Sequence, residues 1–297
     1  MRIKENLGER IFNFTNYVFM VVLCLICLYP FLYVFSYSIS DGVAASTKNI
    51  ILLPVKPTLI NYKTVFANQT ITNAFFISVS RTVVGAVLHV LVIAMAAYAV
   101  SRKYLLWKKK FFLPFFIIPM YFSGGILPTY VVMTKLHLNN NFLVYILPML
   151  FQPFHLLILK VFFEQLPESL EESARIDGAG DFTVFFRIIL PSSLPVIATV
   201  TLFIGVAQWN AWFDAFVYIT KLNLYPLQAL LRKIILESQT RDMIDIMEMM
   251  QNNANKEVTS ESIKMATVIV ATIPIIIVYP FLQKYFVKGV MIGAVKE

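Results

Sequence analysis

The chain has 297 residues, of which 58% are hydrophobic and only 14% charged, and its mean hydropathy is +0.72. A soluble domain carries about 25% charged residues, so a soluble enzyme of this size and a disordered chain are both excluded. The net charge of +8 lies in clumps between apolar runs, which points to cytoplasmic loops beside anionic lipid and not to nucleic acid.

Six stretches reach the about 20 apolar residues needed to cross a bilayer core of about 30 Å: 11–38, 74–100, 111–133, 142–163, 194–219 and 263–286. The expected fold class is an all-α polytopic membrane protein, with one membrane domain over 11–297 behind a short segment 1–10. The first stretch is too long for a cleaved signal peptide, and no small-residue cleavage site follows it. Cys24 and Cys27 lie inside it without polar access, so they read as packed or lipid-facing thiols without redox or zinc chemistry.

After the second stretch, 102–110 carries Arg102, Lys103, Lys108, Lys109 and Lys110, and is expected in the cytoplasm. The 135–141 loop carries Lys135 alone and is expected outside. Both termini then fall inside, and the long loops at 39–73 and 220–262 fall outside. Within the third stretch, Ser123, Gly124 and Gly125 precede Pro128. They either open the span as in discontinuous transporter helices or let helices pack closely. His89, His137 and His155 are far apart and have no second ligand type at helical spacing, so no metal site is readable.

Between the fourth and fifth stretches, a cytoplasmic loop over 164–191 gathers Glu164, Glu168, Glu171, Glu172, Asp177 and Asp181. Ser169 to Glu172 reads as a capping box opening a short helix. Gly178 to Gly180 breaks that helix, Asp181 caps a second through Phe182–Ile188, and Pro191 closes it. Ser173, Ala174, Gly178 and Ala179 put small residues at the corner, which suits close docking against another surface.

The fifth stretch ends in Gln208-Trp209-Asn210-Ala211-Trp212-Phe213-Asp214. Aromatic faces with amide donors suit a sugar, so Gln208, Trp209, Asn210 and Trp212, with Ser123 and Gly124, form a candidate substrate pathway. An interfacial aromatic belt with interhelical amide bonds accounts for the same residues. Asp214 is the exception among carboxylates that otherwise avoid the spans, and ion-coupled carriers place such ligands in the membrane. A G-x-x-x-x-G-K-[ST] loop is missing. The energy for uphill transport is therefore expected from another polypeptide, with ATP and magnesium bound there and no cofactor in this chain.

The spacing Glu172-Ser173-Ala174, three residues, Gly178, nine residues, then Ile188-Ile189-Leu190-Pro191 resembles the E-A-A-x3-G-x9-I-x-L-P motif of binding-protein-dependent ABC importer permeases. Ser173 departs from it, a small residue in place of a small one. Ala97-Tyr98-Ala99-Val100-Ser101-Arg102, Gly124-Gly125-Ile126-Leu127-Pro128, Trp209-Asn210-Ala211-Trp212 and the tail from Tyr279 to Gly289 are similar to carbohydrate importer permeases, in the branch of the smaller permease of maltose-type systems that includes oligosaccharide importers. The resemblance implies the six-helix type I permease fold and a multi-pass place in the cell membrane. It further implies partnership with a second permease, two ATP-binding subunits, an extracytoplasmic solute-binding protein and a carbohydrate substrate.

By the same resemblance, Glu171, Glu172, Ser173, Ala174, Asp177, Gly178 and Ala179 belong to the coupling helix that docks on the ATPase. The outer loop 220–262 is expected to contact the binding protein through Met243, Asp245, Met247 and Met250. The tail 287–297 reaches between the ATPase subunits in such relatives, although Glu297 stands where they often have Gly. In maltose-type relatives the sugar site lies mainly in the partner permease. Two other classes compete: a stand-alone channel or ion-coupled carrier, and a membrane assembly subunit that translocates nothing.

Overall fold

A computed structural model describes residues 6–48, 52–102, 111–122, 124–236 and 258–294, with only the helical path given beyond 280. Among the described residues the chain is helical throughout, with one isolated bridge between Ser40 and Pro57 in place of any sheet. Leu7–Ser38, Gln69–Ser101 and Ser260–Pro280 are each long and apolar enough to cross a membrane. Two further pairs, Phe142–Met149 with Pro153–Glu164 and Asp181–Ser192 with Leu194–Asn210, meet the same test as bent spans. The described residues thus hold three candidate spans by length and composition, or up to five if each bent pair is one span.

The chain divides into two compact units. The first, Met1–Gln69 with Lys233–Thr272, contains α1 (Leu7–Ser38), α2 (Gly42–Thr47), α3 (Ile60–Ala67) and the start of the last helix (Ser260–Ala294). Asn6 and Glu9 form a capping box that sets the start of α1: the Leu7 amide donates to Asn6 Oδ1 and the Asn6 amide to Glu9 Oε2. Apolar residues from Ile11 to Phe35 stay exposed around α1. Lipid is as apolar as leucine and exerts no hydrophobic drive to bury them.

Past α1 the chain folds back on polar bonds. Asn61 is fully buried and donates to the carbonyls of Ser38 and Ser40. The Ser38 and Tyr62 hydroxyls share a 2.7 Å bond. Burial pushes the Tyr62 hydroxyl above its ordinary pKa, against a smaller downward pull from Ser38, so it stays protonated. Gly42 opens α2 where a Cβ would come 2.6 Å from the Thr259 amide nitrogen and 2.9 Å from Ser262 Oγ. Backbone cannot yield as a flexible side chain does. Gly42→Ala is expected to cost about 1–3 kcal/mol, read as a lowered thermal unfolding midpoint of the purified chain against Gly8→Ala, where no atom stands within 4 Å.

The second unit, Thr70–Arg232 with Ile273–Glu297, holds most of α4 (Gln69–Ser101) and the central elements. The expected third span is two short helices, α5 (Leu113–Tyr121) and α6 (Ile126–Lys135), with Phe122, Gly124 and Gly125 in neither. Gly125 at φ +80° supplies the left-handed residue this break needs. The expected fourth span is also not one helix. Two 3-10 turns, Phe142–Tyr145 and Leu147–Met149, meet α7 (Pro153–Glu164) at 50°. Pro153 lacks an N–H to continue a helix from above but is well suited to start one.

The core of this unit joins Ile93, Ala94 and Ala97 of α4 and Leu156, Leu159 and Phe163 of α7 to Val184, Phe185, Ile189 and Val200. A second cluster gathers around Val144, Tyr145, Ala215 and Ile219.

Candidate functional site

The corner expected in the 164–191 loop is present, with different ends. α8 (Ser169–Ile176) begins one residue earlier than a capping box at Ser169 requires: Glu168 is the N-cap, makes no side-chain cap bond, and Ser169 is the first helical residue. Glu171 and Glu172 still sit in the first turn, where they complement the helix dipole. At the other end the Gly178 amide donates to the Arg175 carbonyl at 3.0 Å and the Ala179 amide to the Ala174 carbonyl at 2.9 Å. With Gly178 at φ +82°, this is a Schellman turn, which a residue with a Cβ enters only under strain.

α9 (Asp181–Val184) is capped by the Gly180 backbone, so Asp181 is its first residue and not its cap. The carboxylate reaches back across the corner to Arg175 at 2.5 Å. A π turn, Phe185–Ile189, and the short α10 (Leu190–Ser192) carry the helix past Pro191. The 83° bend separates Asp181–Ser192 from α11 (Leu194–Asn210), so Pro191 does not close the element as expected.

Residues at this corner face two ways. Glu172, Ser173, Asp177 and Gly178 are exposed, as are Ile176 at 86% and Phe182 at 76%. Two large apolar side chains thus stand open beside the Glu172 and Asp177 carboxylates. Ala174 and Ala179 instead pack against the core.

Glu171 differs from the other corner residues. It is buried and its carboxylate pairs with Arg102 at 2.5 Å. The Arg102 guanidinium lies 4.7 Å over the Tyr98 ring and donates to the Phe163 carbonyl, while the Tyr98 hydroxyl points to Glu171 Oε2 at 3.4 Å. Glu171 therefore roots the corner in α4 and α7 and does not offer itself to a partner. Arg102, read from the sequence as a loop charge, is a buried structural cation.

Elsewhere in the unit, Arg81 is fully buried about two turns into the expected second span. An arginine at the centre of a membrane helix costs about 2.5–3.5 kcal/mol on insertion scales, so its donors need partners. They have them: Nε and Nη2 reach Gln208 Oε1 at 3.2 and 3.1 Å, Nη1 reaches the Ala211 carbonyl and Asp214 Oδ1, and Nη2 reaches Asp214 Oδ2 at 2.5 Å. The guanidinium lies 4.3 Å over the Tyr145 ring, and Gln208 Nε2 donates to the Tyr145 carbonyl.

These contacts redistribute the candidate pathway. Gln208 and Trp209 are buried, Gln208 in the Arg81 network and Trp209 edge-on to Phe75. The expected fifth span breaks between α11 and α12 (Phe213–Tyr218). At the break, Asn210 and Phe213 are exposed and Trp212 is half-buried under the Arg232 guanidinium at 4.4 Å. Gly124 sits at the other interruption, against Pro128. Ser123 and the loop residues Met243, Asp245, Met247 and Met250 lie outside the described residues.

Sequence reasoning missed Arg81, although it is the sole charge in α4. It also missed that His89 and His155 meet, with Nε2 of the first 2.8 Å from Nδ1 of the second and His89 Nδ1 on the Met149 carbonyl. Among the described residues no third His, Cys, Asp or Glu joins them in a metal-binding group.

Residues 1–292 match the family described as binding-protein-dependent transport system inner membrane components. The chain is similar to the polygalacturonan/rhamnogalacturonan transport system permease protein YtcP of Bacillus subtilis (strain 168), 39% identical over 289 residues that span 97% of this chain and 99% of that protein. Protein LplC of the same strain is 39% identical over 288 residues, covering 97% and 95%. Among solved structures, the crystal structure of a bacterial ABC transporter involved in the import of the acidic polysaccharide alginate aligns with a TM-score of 0.87 at 29% identity, over 96% of this chain and 99% of that one.

Proposed function

The chain belongs to the family of binding-protein-dependent transport system inner membrane components, and from that premise we propose that it is the carbohydrate-conducting permease subunit of an ATP-driven importer. It sits in the plasma membrane as six spans with both termini in the cytoplasm. A second permease completes the pathway, two separate subunits bind ATP and magnesium and hydrolyse it, and a solute-binding protein delivers an oligosaccharide from outside. The outer loop 220–262 receives that protein through Met243, Asp245, Met247 and Met250.

The observation that carries this reading is the two-faced corner. Its outer face, with Glu172, Ser173, Ile176 and Phe182, is open for a partner, while Glu171 fastens its inner face to Arg102. A rigid corner so fastened transmits displacement into α4 and α7 instead of absorbing it. ATP closing the two partner subunits moves the corner and opens the spans outward to the loaded binding protein; hydrolysis resets them.

In vesicles containing this chain, its partner permease and the ATPase, uptake of labelled maltotriose or trigalacturonate is expected only with both ATP and the binding protein. Comparable flux from vesicles holding this chain alone would overturn the reading in favour of a stand-alone carrier.

A further inference from the structure

We propose that Arg81, acting through Asp214, is the positioning residue that holds the fifth span open at Ala211 and Trp212, and so sets the substrate-facing position of Asn210 and Trp212. The substrate-facing part rests on the importer reading; the part about the break does not. Between Val206 and Tyr218 the sequence contains neither proline nor glycine, so no residue there forces a helix to stop. Yet α11 ends at Asn210, and Ala211 is extended at φ −70°, ψ 130°.

Among the bonds that a continuous helix would make across this point is one from the Ala215 amide to the Ala211 carbonyl. Both of its ends are taken by other groups. The Ala211 carbonyl accepts from Arg81 Nη1 at 3.2 Å, and the Ala215 amide donates to Asp214 Oδ1 at 2.9 Å. The same two side chains are tied to each other, and Arg81 also grips Gln208 one turn above the break. Arg81 is thus the competitor that removes the acceptor, and Asp214 the competitor that removes the donor. Remove both, and the local preference of an unbroken apolar segment returns.

Replacing a buried ion pair by apolar side chains of similar volume is frequently tolerated, so the double variant Arg81→Met, Asp214→Leu tests position apart from folding. In a background with Cys24→Ser and Cys27→Ser, the probe is a membrane-impermeant maleimide reacting with Asn210→Cys or Trp212→Cys, counted per folded chain. With Arg81 and Asp214 present both sites are expected to label readily. In the double variant the rate is expected to fall at least tenfold as the helix runs through, and Arg81→Lys, which keeps the charge without the fork, falls between them. A merely structural role predicts unchanged labelling of whatever protein folds. Wild-type labelling rates in whichever of the two variants is folded would overturn the proposal. No ATPase, binding protein or sugar enters this measurement, so its outcome is independent of the importer reading.

Discussion

Gly178→Val is expected to abolish most ATP-dependent uptake, by at least tenfold per assembled transporter, whereas Gly178→Asn keeps most of it. Gly178 holds φ +82° with no atom within 4 Å of where a Cβ would stand, so the effect is conformational and not a clash inside this chain. The left-handed region costs a non-glycine residue about 1–2 kcal/mol, and a β-branched side chain is a rarer occupant still. Asparagine enters that region readily despite its bulk. Loss of the Schellman turn would release the amides of Gly178 and Ala179 from Arg175 and Ala174. α9 would then leave α8 at another angle, spoiling the outward geometry of Ile176 and Phe182. The measurement is uptake into reconstituted vesicles beside the yield of ATPase that copurifies. If bulk at a docking face mattered and backbone conformation did not, Asn would fail with Val, and equal activity of the two variants would reject the conformational argument.

That corner was legible because its signal is local. The turn at Gly178, the small residues beside it and the helix on either side follow from residues within one loop, and the structure departs in which residue caps each helix, in the helix that runs past Pro191 and in the inward turn of Glu171. At Gly124 and Gly125 the sequence offered an opened span or close helix packing as alternatives, and the gap between α5 and α6 agrees with the first.

What escaped the sequence is long-range. Arg81 was passed over because its partners lie more than 120 residues away at Gln208 and Asp214, and a lone charge in an apolar run carries no sign of what it meets. Asp214 was noticed as an unexplained carboxylate for the mirror reason. Arg102 was counted with its lysine neighbours as a topology signal, since nothing in the run 102–110 sets apart the one cation that turns inward to Glu171. The stretch 142–163 was read as one span, but at Pro153 the chain uses the missing N–H to begin α7 at an angle.

The buried pair between Arg102 and Glu171 is expected to be where hydrolysis and transport part company. Glu171→Ala leaves the guanidinium buried without its carboxylate, and stranding one partner of a buried pair costs about 3–5 kcal/mol. The cost falls on the seating of α8 against α4 and α7, because Arg102 also bonds the Phe163 carbonyl and stacks on Tyr98. The outward residues Glu172, Ser173 and Ile176 are unchanged, so the ATPase still docks and hydrolyses at close to the normal rate. Uptake is expected to fall at least tenfold, because the corner now moves without taking the spans with it. Gly178→Val differs by impairing the docking itself, and the ratio of ATP hydrolysed to sugar transported separates the two. Replacing both partners, Arg102→Met with Glu171→Leu, exchanges the ion pair for apolar packing against Tyr98 and Phe163 and is expected to recover coupling in large part. A normal ratio in Glu171→Ala would mean that the force enters the spans by some other contact, and an uncoupled double variant would mean that charge, and not firm seating, is what the corner requires.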